Sequence, residues 1–440
     1  MDRKKVLIIG AAGRDFHNFN TVYRNNDGCD VVGFTATQIP EIDDRRYPAA
    51  LAGEHYPEGI SIEPMEELER LIRDLKVDEC VFSYSDIHYV DLMQIGSRVL
   101  AAGADFKLLA PARGHLKSSK PVVSVLAVRT GCGKSQTTRR VVEILKGDLG
   151  QARVVSIRHP MPYGDLAKQA VQRFAAFEDL NKHECTIEEM EEYEPHIAAG
   201  NVIYAGVDYE AILREAEKEA DVIVWDGGNN DPSFYAADLT LVVADPLRAG
   251  HELRYWAGET NLTMADVVVI NKCDSASEEQ IRTVEKNIAN RNPGATVVRA
   301  DSVLRVEDES LVKGQRVLVV EDGPTLTHGE MEVGAGYVAS ERLGAVIVDP
   351  RPFAVGSIKA AYENYPQLKK VVPALGYYGD QLAELTQTID AADCDSVVIG
   401  TPIDLRRVIE FSKPATRVGY DLKEHDGNAL VKAIAAAIGR

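Results

Sequence analysis

The chain has 440 residues, 45% of them hydrophobic, enough for several ordinary domains that each bury a core. With 68 acidic against 49 basic residues its formal charge is -19, which excludes a general electrostatic grip on nucleic acid or an anionic membrane but leaves room for a small anion held by local cations. No apolar run reaches the roughly eighteen residues of a membrane span, MDRKKVLIIGAAG does not read as a signal peptide, and six scattered cysteines form no CxxC pair. A soluble cytoplasmic protein with free thiols is expected, with neither zinc nor disulfides.

The first elements alternate. KKVLIIG (4–10), DVVGFTA (30–36), ECVFSYS (79–85) and FKLLAP (106–111) read as buried strands, with helical segments such as MEELERLIRDL (65–75) between them. That order predicts a parallel sheet with helices on both faces, a Rossmann-like unit over residues 1–118. Its first turn, IGAAGRDFHNFN, sets Gly10 and Gly13 before Arg14, His17 and Asn18 at a helix start. Only part of a G-x-G-x-x-G dinucleotide pattern is present, so an anion pocket is preferred, with Arg14 on a phosphate or carboxylate and His17 donating to it. The alternative is an interdomain contact made by the same polar groups. Arg45 and Arg46 in DDRRYP are another cationic pair, open to surface ion pairing.

A polar stretch, ARGHLKSSKP (112–121), leads into the second unit, residues 119–313. The apolar run PVVSVLAV (121–128) feeds VRTGCGKS (128–135), and a helix is expected from about Ser135 to Lys146. The phosphate-loop pattern G-x-x-x-x-G-K-[ST] is met at Gly133, Lys134 and Ser135, but Val128 stands where the first glycine belongs. The setting, between an apolar strand and a helix, is the one in which backbone amides and the helix dipole attract phosphate. Thr130, Gly131, Cys132, Gly133, Lys134, Ser135 and Gln136 are therefore the expected phosphate-binding residues.

Further strands are expected at 152–158, 220–226, 239–245, 265–271 and 295–300. ADVIVWDGGNND ends its strand in Asp226, followed by two glycines, as in enzymes where such an aspartate and the loop hydroxyl, here Ser135, hold magnesium. NKCD, Asn271 to Asp274, follows: its aspartate suits the guanine edge, while Asn271 and Lys272 brace the loop, so GTP is favoured over ATP. Arg158, His159 and Asp165 in IRHPMPYGDL lie where a chain commonly bends toward a γ-phosphate, Arg158 and His159 placed to orient an acceptor and Asp165 to touch the metal. TIEEMEEYEPHI (186–197) is strongly acidic and reads as a solvated helix face rather than a metal site.

A third α/β unit, 314–440, is expected from the strand GQRVLVVED (314–322), the glycine-rich loop GPTLTHGEMEVGAG (323–336) and the strands GAVIVD (344–349) and DSVVIG (395–400). Thr327 and His328 offer a hydroxyl and an imidazole to an oxyanion.

In their order these motifs resemble the SIMIBI class of phosphate-loop NTPases, many of which carry a second basic residue in the loop that reaches a neighbouring subunit's phosphates. Arg129 stands at that position; the alternative is a solvated arginine beside the ligand. The combination of GAAGRDFHNFN, RTGCGKS, WDGGNND, NKCD, GPTLTHG and GTPIDLRR resembles, over all three units, the predicted GTPase family related to cyclic 2,3-diphosphoglycerate synthetase. That resemblance implies magnesium-dependent phosphoryl transfer from GTP or ATP to a small phosphorylated or carboxylate acceptor, 2,3-diphosphoglycerate among the candidates, and a homodimer. Lys134, Asp226, Arg129 and His159 are the expected catalytic residues, with Arg14, His17, Arg158, Thr327 and His328 toward the substrate. A regulatory or chaperone-like GTPase switch is the alternative function, and a nucleotide-binding module without catalysis a third.

Overall fold

The computed structural model describes residues 3–36, 45–159, 165–228, 230–327, 329–368, 370–375 and 379–439. Its architecture is α/β throughout, as the alternation of apolar runs and amphipathic segments predicts. The first sheet has six strands in the order 46–47, 60–64, 29–36, 4–9, 79–82, 105–108, all parallel except the short edge strand Arg46–Tyr47. Lys4–Ile9 runs up its middle, and its last four side chains are buried because helices cover both faces.

The second sheet is continuous over thirteen strands. At its centre Val122–Ala127 lies between Val222–Asp226 and Leu239–Ala244, parallel to both. These strands are unbroken apolar runs, and all six residues of Val122–Ala127 are buried; each such valine or leucine stabilises the fold by about 1.5–3 kcal/mol. The arrangement sets the loop after Ala127 and the carboxylate of Asp226 side by side at the same sheet edge, Asp226 pairing in register with Val125.

One long strand, Thr296–Val306, carries the sheet onward. Its first half pairs in parallel with Val267–Ile270, and its second half pairs antiparallel with Ala415–Glu424. Beyond it come Ser396–Gly400, Arg316–Asp322 and Val346–Ile347, so the C-terminal strands extend the central sheet. The cleft above this seam has its two walls fixed to one backbone framework.

Two local differences from the sequence pattern matter for the site. The stretch 323–336 is not all loop: Asp322 accepts from the amide of Thr325 and starts a helical turn, Gly323–Leu326, and a second helix begins at Ala335. The phosphate-loop helix Lys134–Glu143 passes into a wider turn, Ile144–Asp148. Among the described residues no helix is long and apolar enough to cross a membrane, and all six cysteines are free thiols.

Candidate functional site

The phosphate loop forms as its glycines require. Gly131 and Gly133 have φ of 79° and 97°, the left-handed region that a side chain opposes. At Gly133 a Cβ would also lie 2.1 Å from Nδ2 of Asn271. Val128 meets the need for its missing glycine in another way. Its side chain is buried in the core, its amide donates to the carbonyl of Val243 at 3.0 Å, and its carbonyl accepts from Asn230 at 3.0 Å. The close approach is made by Gly258, where a Cβ would stand 2.2 Å from that carbonyl oxygen.

Lys134 and Asp226 meet at the heart of the site. The lysine ammonium donates to Oδ1 of Asp226 at 2.5 Å, Thr138 donates to the same oxygen at 3.0 Å, and the guanidinium of Arg158 stands 3.1 Å from it. His196 lies 3.4 Å from Oδ2. Burial pushes the Asp226 carboxyl upward, but the Lys134 and Arg158 cations beside it overcome this and hold it well below the usual carboxylate range. Ser135 is exposed on the first turn of the helix, facing the cavity. A hydroxyl and an ionised carboxylate are hard oxygen donors, the chemistry that magnesium takes, and Lys134 is a cation for which a phosphate chain would compete with Asp226. No cluster of three or more His, Cys, Asp or Glu residues suited to a metal occurs among the described residues, so the metal's remaining ligands would be phosphate oxygens and water.

The NKCD segment closes the loop from the side. Asn271, fully buried, donates to the carbonyl of Cys132 at 2.9 Å, and Lys272 donates to the carbonyl of Gly131 at 2.6 Å and to Asp245 at 2.8 Å. Both brace the loop. Asp274 faces away: Oδ1 accepts from the amide of Ser302 at 3.0 Å and Oδ2 from Arg342 at 2.6 Å. Gln136 shares a hydrogen bond with Ser302 at 3.2 Å, Cys132 is buried beside Arg248, and the amide of Thr130 donates to Asp86 at 3.2 Å.

Arg129 is neither solvated nor extended outward. Its side chain is 1% exposed, donates to Asp86 at 2.6 Å, reaches Nδ1 of His251 at 2.8 Å and stacks 3.4 Å from the ring of Tyr255. In this structure the loop's second cation ties the first unit to the central one.

A cavity of about 1170 Å³ opens over the loop, between the central strands and the C-terminal ones. Thr130, Lys134 and Ser135 form its floor. Its wall is the helix Ile187–Ala198, started by a reciprocal cap in which Thr186 and Glu189 bond each other's amides. This helix is no solvated face. Glu189 and Glu191 are buried, and Glu189, Glu191, Glu192 and Glu194 all line the cavity. Glu192 clamps Arg158 through both Nε, at 2.8 Å, and a second nitrogen, at 2.5 Å. Glu189, Glu192 and His196, spaced three and four apart, put the feature within reach of the sequence, but a charge-rich helix has the same composition whether its acids face water or a ligand. Arg139, Arg407 and Arg417 also line the cavity, and Arg407 stands 3.5 Å from Glu194 of this helix.

The remaining expected residues divide. Arg158 lines the cavity. Arg14, His17 and His159 instead pack where the first unit meets the loop after Asp226: Arg14 bonds the carbonyl of Pro232 and sits over the ring of Phe234, on which His17 also stacks at 4.1 Å while bonding the carbonyl of Gly114. His159 is buried 3.8 Å from Asp231, and burial holds its imidazole neutral, well below its usual range. Thr327 is buried with its hydroxyl on the carbonyl of Gly323 at 2.9 Å. His328 lies outside the described residues. Asp165 lies on an exposed turn where its carboxylate accepts from the amides of Ala167 and Lys168.

In that same contact Asp15 is fully buried, one oxygen accepting from the amides of Ala12 and Phe16 and the other without a partner. Burial pushes its carboxyl up to about 7. Between the ordinary carboxylate value and that point, the folded chain keeps a proton that the unfolded chain has lost, so the Asp15 contribution to stability falls as pH rises through this window and stays low above it. Asp15→Asn keeps the accepting oxygen and has no charge to bury. Thermal melting should show the variant more stable than the parent at pH 8, on the order of 2 kcal/mol, and the two alike near pH 4. Equal melting at both pH values would contradict the assignment.

The comparisons with known proteins fit this geometry. The model of the CobW/HypB/UreG nucleotide-binding domain matches residues 208–299, which carry Asp226 and the NKCD segment. Arginine synthetase ArcE of Thermococcus kodakarensis is 59% identical over 423 residues, covering 96% of this chain and 94% of that protein. The chain belongs to the arginine synthetase ArcE family. Cyclic 2,3-diphosphoglycerate synthetase of Pyrococcus furiosus is 23% identical over 226 residues, 47% of this chain and 50% of that protein. The resemblance expected from the motifs is thus present, but across less than half of the chain and at lower identity than to ArcE. The solved structure of LpxK from Aquifex aeolicus in complex with ATP is 14% identical, covers 74% of this chain and 90% of that one, and superposes with a TM-score of 0.43, too loosely to carry an argument. As a member of the ArcE family with a formed phosphate loop, the chain is a nucleotide-binding enzyme of the synthetase type.

Proposed function

We propose that this chain makes arginine by nucleotide-driven C–N bond formation. The observation that carries the reading is the cavity in which the phosphate loop shares one space with the four glutamates of the acidic helix and with Arg139, Arg407 and Arg417. A polyanion such as 2,3-diphosphoglycerate would meet the glutamates with like charge, whereas an amino acid can set its ammonium on the acidic helix and its carboxylate on the arginines. Arginine with one guanidino nitrogen replaced by oxygen is the ureido amino acid citrulline. Phosphorylating that oxygen turns it into a leaving group; ammonia then attacks the carbon, the C–O bond breaks and phosphate departs with the electron pair. Positioning and charge neutralisation carry the first step, so no covalent nucleophile is required. Lys134 would hold the phosphates, and Ser135 and Asp226 the magnesium, which when bound would neutralise phosphate charge. The direct test is to supply nucleotide, magnesium, citrulline and ammonium and assay for arginine. Nucleotide hydrolysis indifferent to both citrulline and ammonium would sink the reading and favour a switch-type GTPase.

ATP is the proposed nucleotide. Both oxygens of Asp274 are engaged by this chain's own donors, Ser302 and Arg342, so a guanine edge would have to displace Arg342, while adenine needs nothing from that carboxylate. Asp274→Ala should therefore leave the KM for ATP within about threefold of the parent, a change below 1 kcal/mol. A preference of the parent for GTP, lost in this variant, would reverse the assignment.

A further inference from the structure

Beside Glu192 lies a second, small chamber of about 30 Å³. Asp15, Ser83, Ser85, His159 and Asp231 contribute to its lining, brought together from the first unit and the central one. Glu192 lines both this chamber and the large cavity, so the two spaces share a side chain.

The room is deliberate. A Cβ at Gly13 would fall 1.8 Å from Nε2 of His159, and one at Gly228 would fall 2.3 Å from its Nδ1, so two glycines make space for this imidazole. The lining is also incomplete as a set of hydrogen bonds. Oδ2 of Asp15, Oδ1 of Asp231 and Nε2 of His159 are buried without a partner, on residues that are respectively 0%, 6% and 6% exposed. An acceptor stranded in the interior costs on the order of 1–3 kcal/mol, so the chamber calls for an occupant rich in donors. Its volume admits about two molecules of water size, at roughly 10–15 Å³ each by this measure.

Charge narrows the choice. Glu192 is taken up by Arg158, which leaves Asp15 and Asp231 facing this space; Arg14 stands against them, its Nε 3.8 Å from Oδ1 of Asp231 and without a hydrogen bond of its own. Above about pH 7, where Asp15 has lost its proton, one negative charge is left over. Ammonium brings a positive charge and four N–H donors in a body the size of water.

We propose that this chamber binds ammonium as the nitrogen source of the reaction, an inference that rests on the synthetase reading above. Asp15, Asp231 and the neutral His159 accept its N–H groups. On leaving toward the large cavity the ammonium gives one proton to Asp231. The resulting ammonia passes Glu192, and its lone pair forms the C–N bond as the C–O bond to phosphate breaks. The nitrogen reaches the activated carbon without crossing bulk water, where the phosphorylated intermediate would hydrolyse.

The test compares the parent with Asp231→Asn and, because a buried aspartate can be needed for folding, with Ser85→Ala, each checked for cooperative melting. The KM for ammonium should rise about tenfold or more in the first variant and roughly threefold in the second, while the KM values for nucleotide and citrulline stay within about twofold. Without nucleotide, ammonium chloride should raise the melting temperature of the parent above that in potassium or sodium chloride at equal ionic strength, and Asp231→Asn should lose the difference. An unchanged ammonium KM in both folded variants, a parallel rise in all three KM values, or equal stabilisation by potassium would overturn the proposal while leaving the synthetase reading intact. Turnover in the parent that ignores ammonium would instead overturn that reading, even if ammonium still raised the melting temperature.

Discussion

Lys134→Ala should lower kcat/KM for the nucleotide by roughly a hundred- to a thousandfold, the scale set by removing one preorganised charge from a site of developing anion. The lysine lies on the phosphate loop with its ammonium inside the cavity, 2.5 Å from Oδ1 of Asp226. A bound phosphate chain would compete with Asp226 for the ammonium, leaving the carboxylate able to hold a metal that would neutralise phosphate charge. Two measurements separate this role from a structural one. The parent should melt higher with ATP and magnesium than without, and the variant should lose most of that rise. The variant should nonetheless fold, because Arg158 and Thr138 still compensate the Asp226 carboxylate. A variant that kept nucleotide-dependent turnover would remove Lys134 from the mechanism.

The pattern of apolar runs carried the α/β fold, and the loop, Asp226 and the NKCD segment were legible because each is a short motif tied to a strand end. Chemistry assembled from distant segments was not legible in the same way. The acidic helix looks like surface because its composition is that of surface; only its placement over the loop turns Glu192 and His196 inward. Asp274 is the converse case. The four letters of NKCD predict a guanine contact, but Arg342, 68 positions further on, takes the carboxylate. Arg129 likewise fits the pattern of a cation reaching outward, and Asp86, His251 and Tyr255 fold it back. A motif fixes which groups are present, and the segments that pack on it decide what they can touch.

The phosphate loop's missing glycine leads to the other large effect, at a position far from the loop in sequence. Gly258→Ala should weaken nucleotide binding and turnover by about a hundredfold, the cost of an ångström-scale misplacement in a positioned site. Gly258 begins the helix Gly258–Met264, and its absent side chain is what lets Val128 lie against it. A methyl group there would stand 2.2 Å from the carbonyl oxygen, 2.9 Å from the carbonyl carbon and 3.1 Å from Cα of Val128. Contact between such atoms is comfortable only beyond about 3.5 Å, and all three belong to backbone, so no rotamer change relieves the clash. The helix must move or the loop must. The helix is held by Leu262 in the central core and by Asn261, which donates to the carbonyls of Ala127 and Asn230, so the strain falls on residues 128–131. Melting with and without ATP and magnesium, together with the nucleotide KM, gives the answer. A variant that melts cooperatively yet gains no stability from nucleotide is the expected result. Full binding by Gly258→Ala would mean that Val128 needs no glycine partner, and that the loop tolerates its altered first position unaided.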